Sequence, residues 1–309
     1  MLRALLLYLS SAKWAKDIVT HMGLARRVAR RFVAGETREE AEGAVRALNA
    51  RGIRASCDVL GESVTDAAMA RAAVARYLEL IDCIHRHGLD SEVSLKLTQL
   101  GLDIDLELAR EHMRQILRLA RERGLRANID MESSAYTQRT LDLYRALRDE
   151  DKLTNLRVVI QAYLYRSDED VRALASEGAS LRLCKGAYRE PPSVAYPRKA
   201  DVDAAYVRQM KVLLDAANAG GGDPGIATHD AAIIEATKAY AAQIGIPRDR
   251  FEFQMLYGIR TDLQEQLIRE GYEVRVYVPF GTEWYPYFMR RLAERPANLW
   301  FFVSHFLRG

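Results

Sequence analysis

Cationic and carboxylate side chains recur at the ends of short apolar runs in this chain. Lys96 stands inside the alternation SLKLTQ, Asp130 stands in RANIDME with Glu132 after it, and Arg182 and Lys185 lie in SLRLCKGAY. Thr228, His229 and Asp230 end GIATHD. Gln161 and Tyr163 belong to RVVIQAYL, Gln254 and Tyr257 to FEFQMLY, and Tyr277 to EVRVYVPF. A helical stretch with Tyr287 and the adjacent pair Arg290 and Arg291 follows the last run. Guanidinium forks suit a carboxylate, because each offers rigid paired donors. Taken singly, every one of these residues has a structural explanation. Lys96 can lay its stem on apolar surface at a rim, Asp130 can cap a helix, and His229 can be a satisfied core histidine. Gln161 and Gln254 can satisfy buried backbone, and Arg290 can pair with Glu294 one turn on. Neighbours on a helix diverge by about 100°, so Arg290 and Arg291 share one anion only by curling around it or by an oblique approach. Together these residues point to a polar site with a sizeable ligand, because burying so many polar groups without one is costly. A metal cage is not expected. No HExxH is present, and the adjacent His229 and Asp230 face opposite sides of a strand.

The elements that would position them alternate regularly. Eight short runs, at 54–60, 92–100, 126–132, 157–164, 180–188, 225–230, 251–257 and 273–280, are separated by amphipathic helical stretches. In Leu106–Arg123, for instance, Leu108, Met113, Ile116, Leu117 and Ala120 fall on one face. Gly88, Gly124, Gly178 and Gly271 each sit where a helix must stop before a strand. Eight strands alternating with helices predict an α/β fold, a distorted (β/α)8 TIM-like barrel. N-terminal helices would flank it, and a final helix would lie over its mouth. An open doubly wound sheet would carry a GxGxxG turn early, and none occurs. Residues 1–50 are expected to be a helical flank and 51–309 the catalytic barrel, with Gly220–Gly222 a connection into the sixth strand. In such a barrel the chemistry belongs at the strand C-termini.

The chain has 309 residues, 49% of them hydrophobic and 28% charged, which excludes a disordered or collagen-like polymer. Its 45 basic and 42 acidic residues leave a net charge of +3, not the footprint of a nucleic-acid binder. The densest basic cluster, Arg26, Arg27, Arg30 and Arg31, is read as a solvated helix face. Cys57, Cys83 and Cys184 lack CxxC spacing, so neither a disulfide framework nor a zinc knuckle is expected, and a reducing cytoplasmic compartment fits. No apolar run reaches the roughly 18 residues of a membrane span. The opening MLRALLLYLSSA, with Trp14 after it, is expected to be a helix that packs on the body or touches a membrane surface.

Five motifs carry a resemblance: SLKLTQLG (94–101), RLCKGAYRE (182–190), ATHD (227–230), FQMLYG (253–258) and YVPFGTEWYPYFMRRLAERPAN (277–298). In these the chain resembles the proline dehydrogenase family, specifically its short bacterial monofunctional type. The resemblance implies a non-covalent FAD at the strand C-termini. It also implies oxidation of L-proline to Δ1-pyrroline-5-carboxylate, with electrons passing to a membrane quinone. It places the substrate carboxylate on Lys96, Arg290 and Arg291, and shapes the proline pocket with Tyr277, Tyr287 and Leu256. Asp130 and Arg182 become the active-site aspartate and the flavin-contacting arginine. Further flavin contacts fall on Gln161, Lys185, Gly186, Ala187, Tyr188, Thr228, His229 and Gln254, with Glu294 an additional one. Cys184 departs from the family's usual aliphatic residue, a change expected to affect packing only. The DNA-binding arm and aldehyde dehydrogenase module of the large bifunctional relatives are expected to be absent. A separate pyrroline-5-carboxylate dehydrogenase would then take the product. The enzyme would be cytoplasmic, peripheral on the inner face of the cell membrane. Two other readings of the residues stand beside this one. One is a Schiff-base lyase on the same barrel with Lys96 or Lys185 as nucleophile. The other is a barrel that binds a ligand without catalysis.

Overall fold

The computed structural model describes residues 27–294, with Trp14 and Val19 ahead of them and the Glu294 side chain excepted. Eight parallel strands close into a barrel in chain order. They are β1 (Arg54–Val59), β2 (Ser91–Leu95), β3 (Ala127–Ile129), β4 (Leu156–Gln161), β5 (Leu181–Cys184), β6 (Gly225–Ala227), β7 (Glu252–Leu256) and β8 (Glu273–Phe280). Every expected run overlaps one of them, with β2 and β4 each starting one residue before the run. Most strands end earlier than the apolar pattern suggests, so Lys96, Lys185 and His229 lie just past the pairing rather than in it. Closure is by β1 on β8, in register from Arg54 opposite Arg275 to Val59 opposite Phe280.

Helices α1 (Arg38–Asn49), α2 (Ala67–Arg86), α3 (Leu106–Glu122), α4 (Ser134–Arg145), α5 (Ser167–Ser176), α6 (Lys199–Asn218), α7 (Ala231–Ile244), α8 (Thr261–Arg269) and α9 (Trp284–Glu294) surround the barrel. Local chemistry sets their ends. Thr37 and Glu40 form a capping box on α1, and Asp66, Asp105 and Asp230 accept the first N–H groups of α2, α3 and α7. The four glycines expected to stop helices all have positive φ, from 58° at Gly88 to 80° at Gly271. On α3 the expected face is buried, with Leu108 at its margin. Apolar side chains between the sheet and the helix ring form one continuous core.

A second apolar cluster sits at the mouth. Trp284, Tyr285, Phe288 and Leu292 of α9 pack on Val28, Phe32 and Val33, from the segment that precedes α1. That segment is tied to the end of β8, because Ala34 N donates to Pro279 O and Gly281 N donates to Gly35 O. The last helix is thereby held over the barrel. The opening MLRALLLYLSSA lies outside the described residues, and no helix among those described is long and apolar enough to cross a membrane.

Candidate active site

The barrel interior is polar, and the two-residue period of a strand explains how. Inward-facing pairs two apart recur as Ser56 and Asp58, Glu92 and Ser94, Asn128 and Asp130, Glu252 and Gln254, and Arg275 and Tyr277. The lower members form a buried charge cluster. Arg157 Nη1 lies 2.7 Å from Glu252 and 3.4 Å from Glu92, and Arg275 Nε lies 2.9 Å and 3.5 Å from the same two carboxylates. Burial alone would raise the Glu252 carboxyl, but Arg275 and Arg157 override it and hold it well below the usual carboxylate range. A cavity of about 380 Å³ opens below this cluster at the N-terminal end of the barrel, far from the strand C-termini.

Gln254 links the lower cluster to the upper one. Its Nε2 donates to Glu252 Oε1 at 2.6 Å, while its Oε1 accepts from Arg182 Nε. Arg182 is also held by Ser94 and Ser56, whose hydroxyl oxygens accept from Nη1 at 3.1 Å and Nη2 at 3.3 Å. Nη1 then reaches Asp130 Oδ1 at 2.7 Å. The other Asp130 oxygen accepts from the Tyr277 hydroxyl, also at 2.7 Å, and the Arg182 guanidinium lies over the Tyr277 ring, 5.6 Å from its centroid. Burial presses the Asp130 carboxyl upward, opposed by the Arg182 guanidinium and the Lys96 ammonium. Lys96 Nζ sits 3.1 Å from Asp58. Burial would lower the Lys96 pKa, but Asp58 and Asp130 outweigh it, so the ammonium stays charged.

The mouth is closed over by α9. Arg290 donates from Nη1 and Nη2 to the two Glu62 oxygens, at 2.9 and 3.2 Å, and its guanidinium stands 5.9 Å from the Tyr188 ring centroid. Arg290 is thereby tied to the loop after β1, and the alternative of a pairing with Glu294 falls on a side chain outside those described. Arg291 is buried beside Arg290, its guanidinium 5.0 Å from the Tyr287 ring centroid. The two arginines diverge as their helix requires. Leu256 and Tyr277 pack at the edge of the cluster that holds Tyr287.

Around the rim, Gln161 donates to Glu132 O at 2.7 Å and accepts from Ala187 N at 3.3 Å, fixing the turn after β5. In that turn Gly186 has a φ of 121°, and a Cβ there would lie 2.3 Å from the Tyr163 ring. Lys185 pairs with Asp203 at 2.5 Å and Asp230 at 2.8 Å, with Lys199 sharing both carboxylates. Burial would raise Asp230, yet the two lysines hold it well below its usual range. The Asp230 N–H donates to Thr228 Oγ1, and the Leu256 N–H donates to His229 Nε2, which leaves the ring proton on Nδ1.

The structure therefore brings Lys96, Asp130, Arg182, Tyr277 and Gln254 into one network, with Arg290, Tyr188 and Tyr287 at its mouth. Lys185, Thr228 and His229 form a separate arc beside β6. Asp130 caps nothing, since Ser133 occupies the N-cap of α4. His229 and Asp230 lie beyond β6, so the strand argument for opposite faces does not apply to them. Glu294 as a cofactor contact falls outside the described side chains. Sequence reasoning missed Ser56, Asp58, Glu62 and Ser94, and assigned Glu132 no partner. Glu132 accepts from Thr98 N at 3.1 Å and Thr98 Oγ1 at 2.6 Å, and burial pushes its carboxyl up to about 7 against those bonds. Ser56 and Asp58 carry a detectable signal, two polar residues at a two-residue interval among the buried apolar residues Ala55, Cys57 and Val59 of β1.

Comparison with known proteins is consistent with this arrangement. The family model described as proline dehydrogenase matches residues 41–303. Proline dehydrogenase 1 of Bacillus subtilis subsp. natto is 44% identical over 312 aligned residues, covering 100% of both chains. Proline dehydrogenase of Deinococcus radiodurans is 43% identical over 91% of both. Among solved structures, proline utilization A from Bdellovibrio bacteriovorus, inactivated by N-propargylglycine, superposes with a TM-score of 0.82 at 27% identity. The match covers 91% of this chain and 34% of that longer one.

Proposed function

The chain belongs to the proline dehydrogenase family, and from that premise we propose that it oxidises L-proline to Δ1-pyrroline-5-carboxylate with FAD bound at the strand C-termini. The observation that carries this reading is the charged Lys96 ammonium beside the Asp130–Arg182–Tyr277 cluster, near the Glu62 carboxylate that holds Arg290 of α9.

Lys96, Arg290 and Arg291 supply the positive charge that holds the substrate carboxylate. Arg290 has spent the outer ends of its guanidinium on Glu62 and presents its remaining edge. Tyr277, Tyr287 and Leu256 wall the ring, so the ring carbon next to nitrogen is fixed in orientation. In the reaction that carbon gives up a hydride and the amine a proton. Asp130 sets the geometry of Arg182 and Tyr277 by accepting from both.

The residues present fit FAD on the chemistry of their donors. Arg182 is a buried cation held between Asp130 and Gln254, the Gly186 turn takes a positive φ that glycine adopts freely, and Tyr163 Oη is buried without a hydrogen-bond partner. Gln161, Lys185, Ala187, Tyr188, Thr228, His229 and Gln254 complete the set that would hold or position it. FAD supplies the hydride acceptor that no side chain provides. Electrons leave to a membrane quinone, which makes the protein peripheral on the cytoplasmic membrane face, and a separate dehydrogenase of the aldehyde type consumes the product.

A Schiff-base lyase needs a neutral lysine. Lys96 is held charged by Asp58 and Asp130, and Lys185 is shared between two carboxylates. The test is the visible spectrum of the purified protein before and after anaerobic L-proline. A flavin spectrum that bleaches supports the reading. A flavin that stays oxidised overturns the substrate, and no flavin even after incubation with FAD overturns the cofactor.

A further inference from the structure

At the opposite end of the barrel from the mouth, three metal-ligating side chains meet on the outside of the fold. Glu42 projects from the second turn of α1. Cys83 lies in the last turn of α2, and His87, four residues on, is that helix's C-cap. Cys83 Sγ is 3.5 Å from Glu42 Oε2 and 3.6 Å from His87 Nδ1, and His87 Nδ1 is 2.9 Å from Glu42 Oε1. Cys83 is buried, the Glu42 side chain is 18% exposed and that of His87 34% exposed, so the cluster has an apolar floor and a solvent side.

One donor atom from each residue lies within 4.8 Å of the others, close enough to share one ion. A zinc ion bound at 2.3 Å to sulfur and 2.0–2.1 Å to nitrogen and oxygen, at tetrahedral angles, separates sulfur from either by about 3.5 Å. The Cys83 Sγ–His87 Nδ1 distance of 3.6 Å matches that edge, while the two Glu42 oxygens are divided, Oε2 facing Cys83 and Oε1 lying 2.9 Å from His87 Nδ1. Arg46 donates to Glu42 Oε1 at 2.7 and 2.9 Å, orienting the carboxylate as outer partners of ligating groups do.

We propose that Glu42, Cys83 and His87 bind one divalent cation of the zinc class, with water completing the tetrahedron. The Cys83 thiol proton passes to solvent as the sulfur–metal bond forms, and no electron changes hands. The ion would join α1 to α2 beside the β1–β8 seam. It has no part in proline oxidation, since the ligands lie at the other end of the barrel.

The test uses the tag-free, full-length protein stripped of metal and titrated with Co2+ and then Zn2+. One equivalent of Co2+ is expected to give a thiolate-to-cobalt charge-transfer band that Zn2+ abolishes. Cys83→Ser is expected to remove the band. Losing an outer partner costs up to about a hundredfold in metal affinity, so His87→Gln and Glu42→Gln should each cost at least that. Zn2+ should raise the thermal midpoint of the wild type and leave that of His87→Gln unmoved. Absence of a thiolate band in the wild type overturns the proposal, as does its survival in Cys83→Ser, which would place the cobalt on Cys57 or Cys184. Should Cys83→Ser not fold, undiminished affinity in the surface variant His87→Gln overturns it equally.

Discussion

Arg182 reaches Asp130 at 2.7 Å from β5, across the inside of the barrel. The pair is buried, and it is also the point where the Gln254 and Tyr277 contacts meet. Asp130→Asn keeps the shape but gives Arg182 a neutral acceptor. A hydrogen bond to a charged group contributes about 1.5–3 kcal/mol, so kcat/KM for proline should fall roughly tenfold to a hundredfold. Steady-state kinetics across pH check this. Full activity at every pH would remove Asp130 from the mechanism.

Glu62 takes both outer nitrogens of Arg290 and so fixes the plane of the guanidinium. Glu62→Gln should loosen that plane, raising KM for proline about tenfold, near 1.4 kcal/mol, with a smaller effect on kcat. Burial works to raise the Glu62 carboxyl, but Arg290 brings it below its usual range, so Glu62 is ionised wherever the enzyme is assayed near neutrality. A lower KM in the variant would mean that Glu62 competes with the substrate instead of orienting its partner.

Glu132 gives the fold a pH dependence of known sign. Its carboxyl is raised from 4.5 to about 7 by burial. The native state therefore keeps a proton that the unfolded chain releases from about pH 4.5 upward. Stability from this group is fully present below that value and is lost by about pH 7, a change of about 3 kcal/mol. Glu132→Gln should match the wild type near pH 4.5 and exceed it near pH 8 by up to that amount. Urea unfolding at both pH values measures the difference, and equal wild-type and variant curves at the higher pH would refute it.

Gly186 holds a φ of 121° against the face of Tyr163. Gly186→Ala adds backbone strain of about 1–3 kcal/mol and drives a methyl group into the ring. Chemical unfolding should show a loss of at least about 2 kcal/mol, with weaker flavin retention on gel filtration. An unchanged midpoint would show that the turn relaxes freely.

The barrel was legible because its signals are local. Apolar runs, aspartate starts such as Asp105 and glycine stops such as Gly124 each occupy a few adjacent residues. Lys96, Asp130 and Arg182 were legible because they interrupt apolar runs. Their partners were not. Nothing near Glu62 in the chain announces Arg290, 228 positions away, and Asp58 shows its partner Lys96 only once β1 pairs with β2, setting Asp58 opposite Ser94. Glu92, Arg157 and Glu252 escaped for another reason. They lie low in the barrel, away from the strand C-termini where such a fold keeps its chemistry.

The seam between β1 and β8 has a consequence for biosynthesis. Asp58 and Glu62 lie on or just beyond the first strand, while Tyr277 and Arg290 belong to the last strand and the helix after it. A nascent chain still missing β8 has seven strands and half a binding site. Such distant pairing forms late in folding. Catalytic competence therefore arrives in one step, when the final strand docks, and turnover in a refolding experiment reports completed closure rather than the gradual growth of helix.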